Sequence, residues 1–340
     1  MDATIIGLRQ CGKTTLLEAL AGTETPGSGI ATVRVRDDRV DALTKIFNPK
    51  RTVYGEIRVR EAAWPGTGES ARKSAMEQYI NAIRGSRLFL HVVAAARTPL
   101  MTEEPNPARD LNQLDGEMIF ADLLAIDRIL ERSKKAPIDG NLKDLLERLK
   151  TELESEKPLW TLGLSDAEKT ALAGFNLITV TPQLVVVNTA EGVAEVDSAI
   201  FGDRLRGRHV AAISLPVARE VSLLPIEEQD TFAREMGLDG PAAPKLSREA
   251  FAQLDLISFF TVGDDECRAW PITRGTEARA AAGVIHSDIE RGFIRAEVVA
   301  YDEFMARRTL KACRDDGVLR LEGKTYVVAD GDIVNFRFNV

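Results

Sequence analysis

Residues 3–15 read ATIIGLRQCGKTT, and no other stretch of the chain narrows the possible folds as far. The run ATII is apolar and β-branched, the pattern of a buried strand, and KTTLLEALAG is a helix pattern closed by Gly22 at its C-cap. Between them Gly7, Gly12, Lys13 and Thr14 meet the spacing G-x-x-x-x-G-K-[ST]. A loop of this kind turns its backbone N–H groups inward on phosphate oxygens, and the helix behind it adds its positive N-terminal end. The Lys ammonium reaches the β- and γ-phosphates and the Thr hydroxyl ligates Mg²⁺. Chance would supply the spacing in a chain this long on the order of one time in a hundred, before the flanking strand and helix are counted.

The rest of the N-terminal half fits that start. TVRVRD and EIRVREA alternate as strands, ESARKSAMEQYINAIRGS has helical spacing, and RLFLHVVAAA is a nearly continuous apolar strand. Strands alternating with helices predict an α/β fold with a doubly wound, mostly parallel sheet. The alternation breaks between Asp115 and Lys157. There Ile119, Leu123, Ile126 and Leu130 step by coiled-coil intervals, as do Leu142, Leu146, Leu149 and Leu153, with the turn APIDGN between them. An antiparallel helical hairpin is expected, its stripes forming the seam between the two helices. The sheet resumes at PQLVVVNTAEG and RHVAAISLP, and two helices are expected around Ile226–Met236 and Ser247–Asp255. From LISFFTVG onward, short strands and Gly-containing turns surround one expected helix near Tyr301–Asp315.

Composition excludes several classes. No stretch approaches 18 uninterrupted apolar residues, so no membrane span is expected. Cys11, Cys267 and Cys313 make no framework, and the first residues carry no secretory pattern, so a reducing cytoplasm is expected. A net charge of −8 argues against coating nucleic acid by bulk electrostatics, and any RNA contact must be local. No His/Cys/Glu cluster has metal spacing and no Ser-His-Asp constellation is visible.

The C-terminal stretches RAWPITRGTEARAAAGVIHSDIERGFIRAEVVAYDEF and LRLEGKTYVVADGDIVNFRFNV resemble the TGS domain of the YchF/Obg-like ATPases. DLNQLDGEMIFADLLAIDRILERSKK and LWTLGLSDAEKTALAGFNLITVTP resemble that family's helical insertion and its return to the G domain, and RVRDDRVDALTKIFNPKR its second-strand region. The resemblance implies a P-loop NTPase (G) domain over 1–100 and 175–256, a coiled-coil insertion over 101–174, and a ubiquitin-like β-grasp TGS domain over 257–340. It also implies ATP with Mg²⁺ (GTP being the alternative), and ribosome or RNA contact through the coiled coil and TGS domain. Arg274, Arg279, Arg291 and Arg295 are candidates for that contact, and a monomer is expected. Guanine-specific relatives read the base with N-K-x-D; here the strand QLVVV runs into Asn188, Thr189, Ala190 and Glu191, the N-x-x-E pattern of the YchF family. The candidate nucleotide contacts are Gly7, Arg9, Gln10, Cys11, Gly12, Lys13, Thr14, Thr15, Asn188, Glu191, Ser214 and Leu215, with Thr14 and Glu61 on the metal.

The parts that run hydrolysis depart from the family pattern. Only ten residues, TETPGSGIAT, separate Gly22 from Val33, and none forms the N-Y-P-F-x-T switch, so Thr32 reads as part of the second strand. Where D-x-A-G is expected stand Glu61, Ala62, Ala63 and Trp64. Glu still offers Mg²⁺ a carboxylate, but Trp crowds the place where glycine turns an N–H toward the γ-phosphate. The loop RTPLMTEEPNP lacks the family's His, and His91, inside the preceding strand, reads as buried or bridging. Cys11 has two readings: a thiol activated by the helix N-terminus, whose oxidation would block nucleotide entry, or a small residue fitting a tight loop. The expectation is an ATP-binding protein with weakened hydrolysis. A fully active ATPase or GTPase with a remodelled switch and a scaffold with a vestigial loop are the alternatives.

Overall fold

The structure is a computed structural model that describes residues 2–23, 29–64, 69–98, 101, 103–193, 195–236, 238 and 240–339. Along the chain, β1 (Asp2–Ile6) runs through the glycine loop into α1 (Lys13–Ala21), followed by β2 (Ile30–Val35), α2 (Asp38–Phe47), β3 (Arg51–Val53) and β4 (Gly55–Glu61). Next come α3 (Glu69–Ile83), β5 (Leu88–Ala94), the long helix α4 (Pro107–Ser133), α5 (Gly140–Glu154) and α6 (Asp166–Leu172). Then follow β6 (Gln183–Asn188), β7 (His209–Ile213), α7 (Leu215–Leu223), α8 (Ile226–Glu235) and α9 (Ala242–Gln253). The C-terminal part is β8 (Leu256–Thr261), β9 (Glu266–Thr273), α10 (Ala278–Ile285), α11 (Ser287–Arg291) and β10 (Phe293–Ala300), then α12 (Tyr301–Arg307), α13 (Leu310–Asp315), β11 (Arg320–Glu322) and β12 (Asp332–Phe338).

The first sheet has the order β2-β4-β1-β5-β6-β7. β1 is parallel to both β4 and β5, and β5, β6 and β7 are parallel in turn. Every residue of β5 and β6 is buried, as parallel strands covered on both faces require. This is the doubly wound α/β sheet of a P-loop NTPase. One face holds Ile6 and Phe89 against Ile80 and Ile83 of α3 and Leu114 and Met118 of α4. Beyond that contact α4 continues into the hairpin. Ile119 and Ile126 pack with Leu145, Leu146, Leu149 and Leu153 of α5, and Lys150 pairs with Asp127 at 2.7 Å. Asp139 caps α5 by accepting from Leu142 N–H, so the APIDGN turn ends where α5 starts. α7 was absent from the sequence reading.

The second sheet runs β11-β10-β12-β8-β9-β3. β8 is antiparallel to β9 and parallel to β12, while β10 is antiparallel to both β12 and β11. That is the β-grasp order, with Ala278, Ala281 and Ala282 of α10 packed on Phe259, Ala296 and Phe336. One long helix was expected near Tyr301–Asp315. Two short ones form, because Arg308 takes a left-handed conformation between them and Thr309 caps the second.

By contacts the backbone divides into two compact units, Met1–Thr32 with Arg58–Leu246, and Val33–Ile57 with Ser247–Val340. Residues 33–57 therefore lie with the C-terminal unit, although they fall within the span read as G domain. β3 extends the grasp sheet in parallel register with β9, Arg51 opposite Glu266 and Val53 opposite Arg268. Val40 and Leu43 of α2 bury against Phe260, Val299 and Ile333, and Phe47 stacks on Phe304 at 5.4 Å. Arg39 ties the same segment to Asp330 by two hydrogen bonds of 3.0 and 3.1 Å.

Candidate nucleotide-binding site

The loop between β1 and α1 has the backbone that its glycines permit. Gly7 has φ 147° and Gly12 φ 107°, and Gln10 sits in the left-handed region at φ 62°. A Cβ on Gly7 would lie 2.4 Å from the Val92 carbonyl oxygen, and one on Gly12 would lie 2.8 Å from both Asn188 Nδ2 and Leu215 Cδ1. Only glycine leaves this loop closed on its neighbours. Lys13 Nζ, largely buried, donates to the carbonyls of Gly7 (3.1 Å) and Leu8 (2.7 Å). Its cation thus lies along the inner side of the loop.

Thr14 and Glu61, far apart in sequence, meet directly. The Thr14 hydroxyl lies 2.8 and 3.0 Å from the two oxygens of the Glu61 carboxylate. A hydroxyl and a carboxylate are hard oxygen donors of the kind Mg²⁺ takes, usually alongside substrate phosphates and water. Among the described residues no group of three or more His, Cys, Asp or Glu could hold a metal unaided. The pair therefore fits a cation carried in with a phosphate chain.

Asn188, at the end of β6, joins three segments. Its Nδ2 donates to the Cys11 carbonyl (3.1 Å) and its Oδ1 accepts from Leu215 N–H (3.2 Å), with the side chain buried. Both ends of the amide are thereby engaged by protein, which makes Asn188 a brace between the loop and the start of α7. Thr189 is buried too and donates to the Val193 carbonyl at 2.8 Å. Glu191 is exposed two residues on, Ser214 is buried at the N-cap of α7, Leu215 is fully buried, and Thr15 is half-buried on α1. Arg9 and Gln10 are exposed on the loop.

Trp64 leaves β4 where the D-x-A-G glycine was expected, and its ring meets Tyr79 of α3 edge-on at 5.0 Å. The Tyr79 hydroxyl in turn accepts from Gly7 N–H at 3.4 Å, and burial raises its pKa above the ordinary tyrosine value, keeping it protonated. Sequence reasoning missed this tyrosine, which no motif marks. Cys11 is buried, and desolvation pushes its thiol up to about 11, beyond what Lys13 can offset. Of the two readings of Cys11, this burial favours the small residue in a tight loop. His91 is fully buried with Nδ1 3.2 Å from Gln183 Oε1, and burial lowers it to about 3. Gln183 also accepts from Arg208 (2.9 Å), whose guanidinium forms a buried pair with Asp115 at 2.8 and 2.9 Å. His286 accepts from Asp288 N–H as the cap of α11. Residues 24–28, in the shortened switch segment, lie outside the described residues; Thr32 is in β2 as expected. Arg274, Arg279, Arg291 and Arg295 are all exposed on the second unit, Arg274 paired with Asp255 and Arg291 with Asp288.

Comparison with known proteins bears on the same parts. Residues 256–339 match the family model YchF-GTPase_C, described as "Protein of unknown function (DUF933)". Over its whole length the chain is 32% identical to the ribosome-binding ATPase YchF of Bacillus subtilis (strain 168), with 100% of both chains covered. The chain belongs to the YchF family. The Obg-like ATPase 1 of Oryza sativa subsp. japonica is 31% identical, covering 99% of this chain and 91% of that one. The solved YchF GTPase of Schizosaccharomyces pombe superposes with a TM-score of 0.88 over 99% of this chain and 97% of its own, at 24% identity, and so shares the YchF fold.

Proposed function

We propose that this YchF-family chain binds ATP with Mg²⁺, hydrolyses it slowly on its own, and acts as a nucleotide-dependent factor on the ribosome. The observation that carries the reading is the Thr14–Glu61 contact beside an intact glycine loop and Lys13. The loop amides would hold the phosphate chain, and Lys13 would exchange the Gly7 and Leu8 carbonyls for phosphate oxygens. Thr14 and Glu61 would hold the metal, which when bound neutralises charge between the β- and γ-phosphates. Trp64 packed on Tyr79 supports slow turnover, since no glycine N–H is there to follow the γ-phosphate. ATP is preferred because Thr189 and Glu191 replace the Lys and Asp that guanine recognition would use. Glu191, Arg9, Gln10, Thr15 and Ser214 remain candidate contacts. The names of the relatives support the ribosome as partner, with the α4–α5 hairpin and the TGS region as its contacts and the cytoplasm as the place. We keep the division into G domain, coiled-coil insertion and TGS domain, and the monomer, as parts of this proposal.

Calorimetric titration with ATP and GTP at equal Mg²⁺ tests it, and ATP should bind about tenfold or more tighter, or about 1.4 kcal/mol. Lys13→Ala should abolish binding. Isolated turnover at or above roughly 1 s⁻¹ would refute the slow-hydrolysis part. Co-sedimentation with ribosomes should weaken steeply with salt, and its absence in every nucleotide state would refute the partner.

A further inference from the structure

Beside the phosphate loop lies a groove that the contacts above leave unused. It encloses ≈ 340 Å³ and is lined by Leu8, Arg9 and Gln10 of the loop, by Trp64 and, from the start of α4, by Arg109 and Gln113. Trp64 stands where a glycine N–H would face the terminal phosphate, and Arg9 and Gln10 belong to the loop that would wrap it. A triphosphate seated in the loop would therefore present its γ-phosphate, and the water that attacks it, to this groove.

Arg109 and Gln113 are four residues apart on one helix and so share a face. The Arg109 guanidinium is half-exposed, with Nη1 3.0 Å from Glu103 Oε2 and Nε 2.9 Å from Asp110 Oδ1. The pair with Glu103 is open to water on both sides and so is held weakly. A phosphoryl oxygen competes well with that solvated carboxylate for the guanidinium, while Asp110, largely buried, keeps its hold on Nε. Gln113 is exposed at the same groove, and its amide has the donor and the acceptor needed to orient a water against a phosphoryl group.

Resting on the ATP-binding reading, we propose that Arg109 and Gln113 complete the hydrolytic site from α4. Arg109 neutralises the charge that develops on the γ-phosphoryl oxygens, and Gln113 orients the attacking water. The water oxygen forms a bond to the γ-phosphorus as the bond to the β,γ-bridging oxygen breaks, and the electron pair leaves with ADP. One water proton stays on the released hydrogen phosphate and the other passes to solvent. Glu103 holds Arg109 back until a triphosphate draws it over.

The test uses the full chain with Arg109→Ala, Arg109→Lys, Gln113→Ala and Glu103→Gln. Calorimetry gives ATP affinity, single-turnover assays give the chemical rate, and trapping of ADP with aluminium fluoride and Mg²⁺ reports the transition-state charge. Arg109→Ala and Gln113→Ala should keep ATP affinity within about twofold while rate and trapping fall by about tenfold or more. Arg109→Lys should fall between, since it keeps the charge and loses the fork, and Glu103→Gln should raise the rate by releasing Arg109. Wild-type rate and trapping in Arg109→Ala, or losses that only follow ATP affinity, would overturn the proposal while leaving ATP binding intact. A wild-type chain that binds no ATP would overturn the binding reading first and this one with it.

Discussion

Replacing Asn188 by Ala isolates the brace that holds the phosphate loop to the start of α7. The substitution removes two hydrogen bonds, to the Cys11 carbonyl at 3.1 Å and from Leu215 N–H at 3.2 Å. It also leaves both backbone groups without that partner beside fully buried Leu215 and nearly buried Cys11. Each of the two stranded groups costs about 1–3 kcal/mol, so the loss should total roughly 2–6 kcal/mol. For a unit of this size each kcal/mol moves Tm by about 2–4 °C, so a fall of about 8–16 °C is expected near the middle of that range. The loop amides lose their fixed aim at the same time, and because the brace never touches the base, ATP and GTP should weaken by the same factor. Scanning calorimetry reads the first effect and paired titrations with the two nucleotides read the second. A Tm within about 1 °C of wild type would refute the bracing argument. A change of about tenfold in the ATP-to-GTP ratio would show that Asn188 reads the base instead.

The buried histidine gives the chain an acid limit. His91 sits at about 3 when folded against an ordinary value of 6.5, so the folded state keeps it neutral while the unfolded chain takes up a proton below 6.5. Its effect on stability is therefore absent above pH 6.5 and grows as pH falls toward 3, at up to about 1.4 kcal/mol per pH unit. His91→Leu should flatten urea midpoints measured between pH 6.5 and 5, and an unchanged slope would refute the assignment. Cys11, raised to about 11, should be alkylated by iodoacetamide at pH 8 about a hundredfold more slowly than free cysteine. Mass spectrometry of the native protein checks this, and a rate equal to that of free cysteine would bring back the activated thiol. Asp115→Ala leaves the buried Arg208 charge alone and should cost about 3–5 kcal/mol, read as a fall in the thermal midpoint of the first unit.

What the sequence made legible lies close together along the chain. The loop from Gly7 to Thr14 is set by local spacing, and the hairpin by two leucine-rich stripes joined by a short turn. What it hid depends on residues brought together from afar. The Asp115–Arg208–Gln183–His91 network draws on α4, the segment before β7, β6 and β5. A charged residue inside an apolar helical stripe, as at Asp115, was the one available signal. Asn188 was legible as a site residue but not as a brace, because the groups it binds are backbone atoms at Cys11 and Leu215. Cys11 has two readings in the sequence because position at a helix start is visible there whereas desolvation is not. The pairing of β3 with β9 joins residues more than two hundred positions apart, and three exposed or half-exposed residues carry no register signal.

The placement of residues 33–57 with the C-terminal unit has a consequence for biosynthesis. During translation this segment emerges early, while the strands and helices that cover Val40, Leu43 and Phe47 are among the last to be made. Roughly 190 residues separate the two, so at about 5–20 residues per second the apolar side of α2 waits some 10–40 s for its cover. The first unit has no such delay at its centre, since β1, β4, β5, β6 and β7 all precede α7. A nascent chain halted before β8 would therefore carry a nearly complete nucleotide-binding sheet and an uncovered amphipathic helix, a state that chaperones and proteases would meet before the finished protein exists.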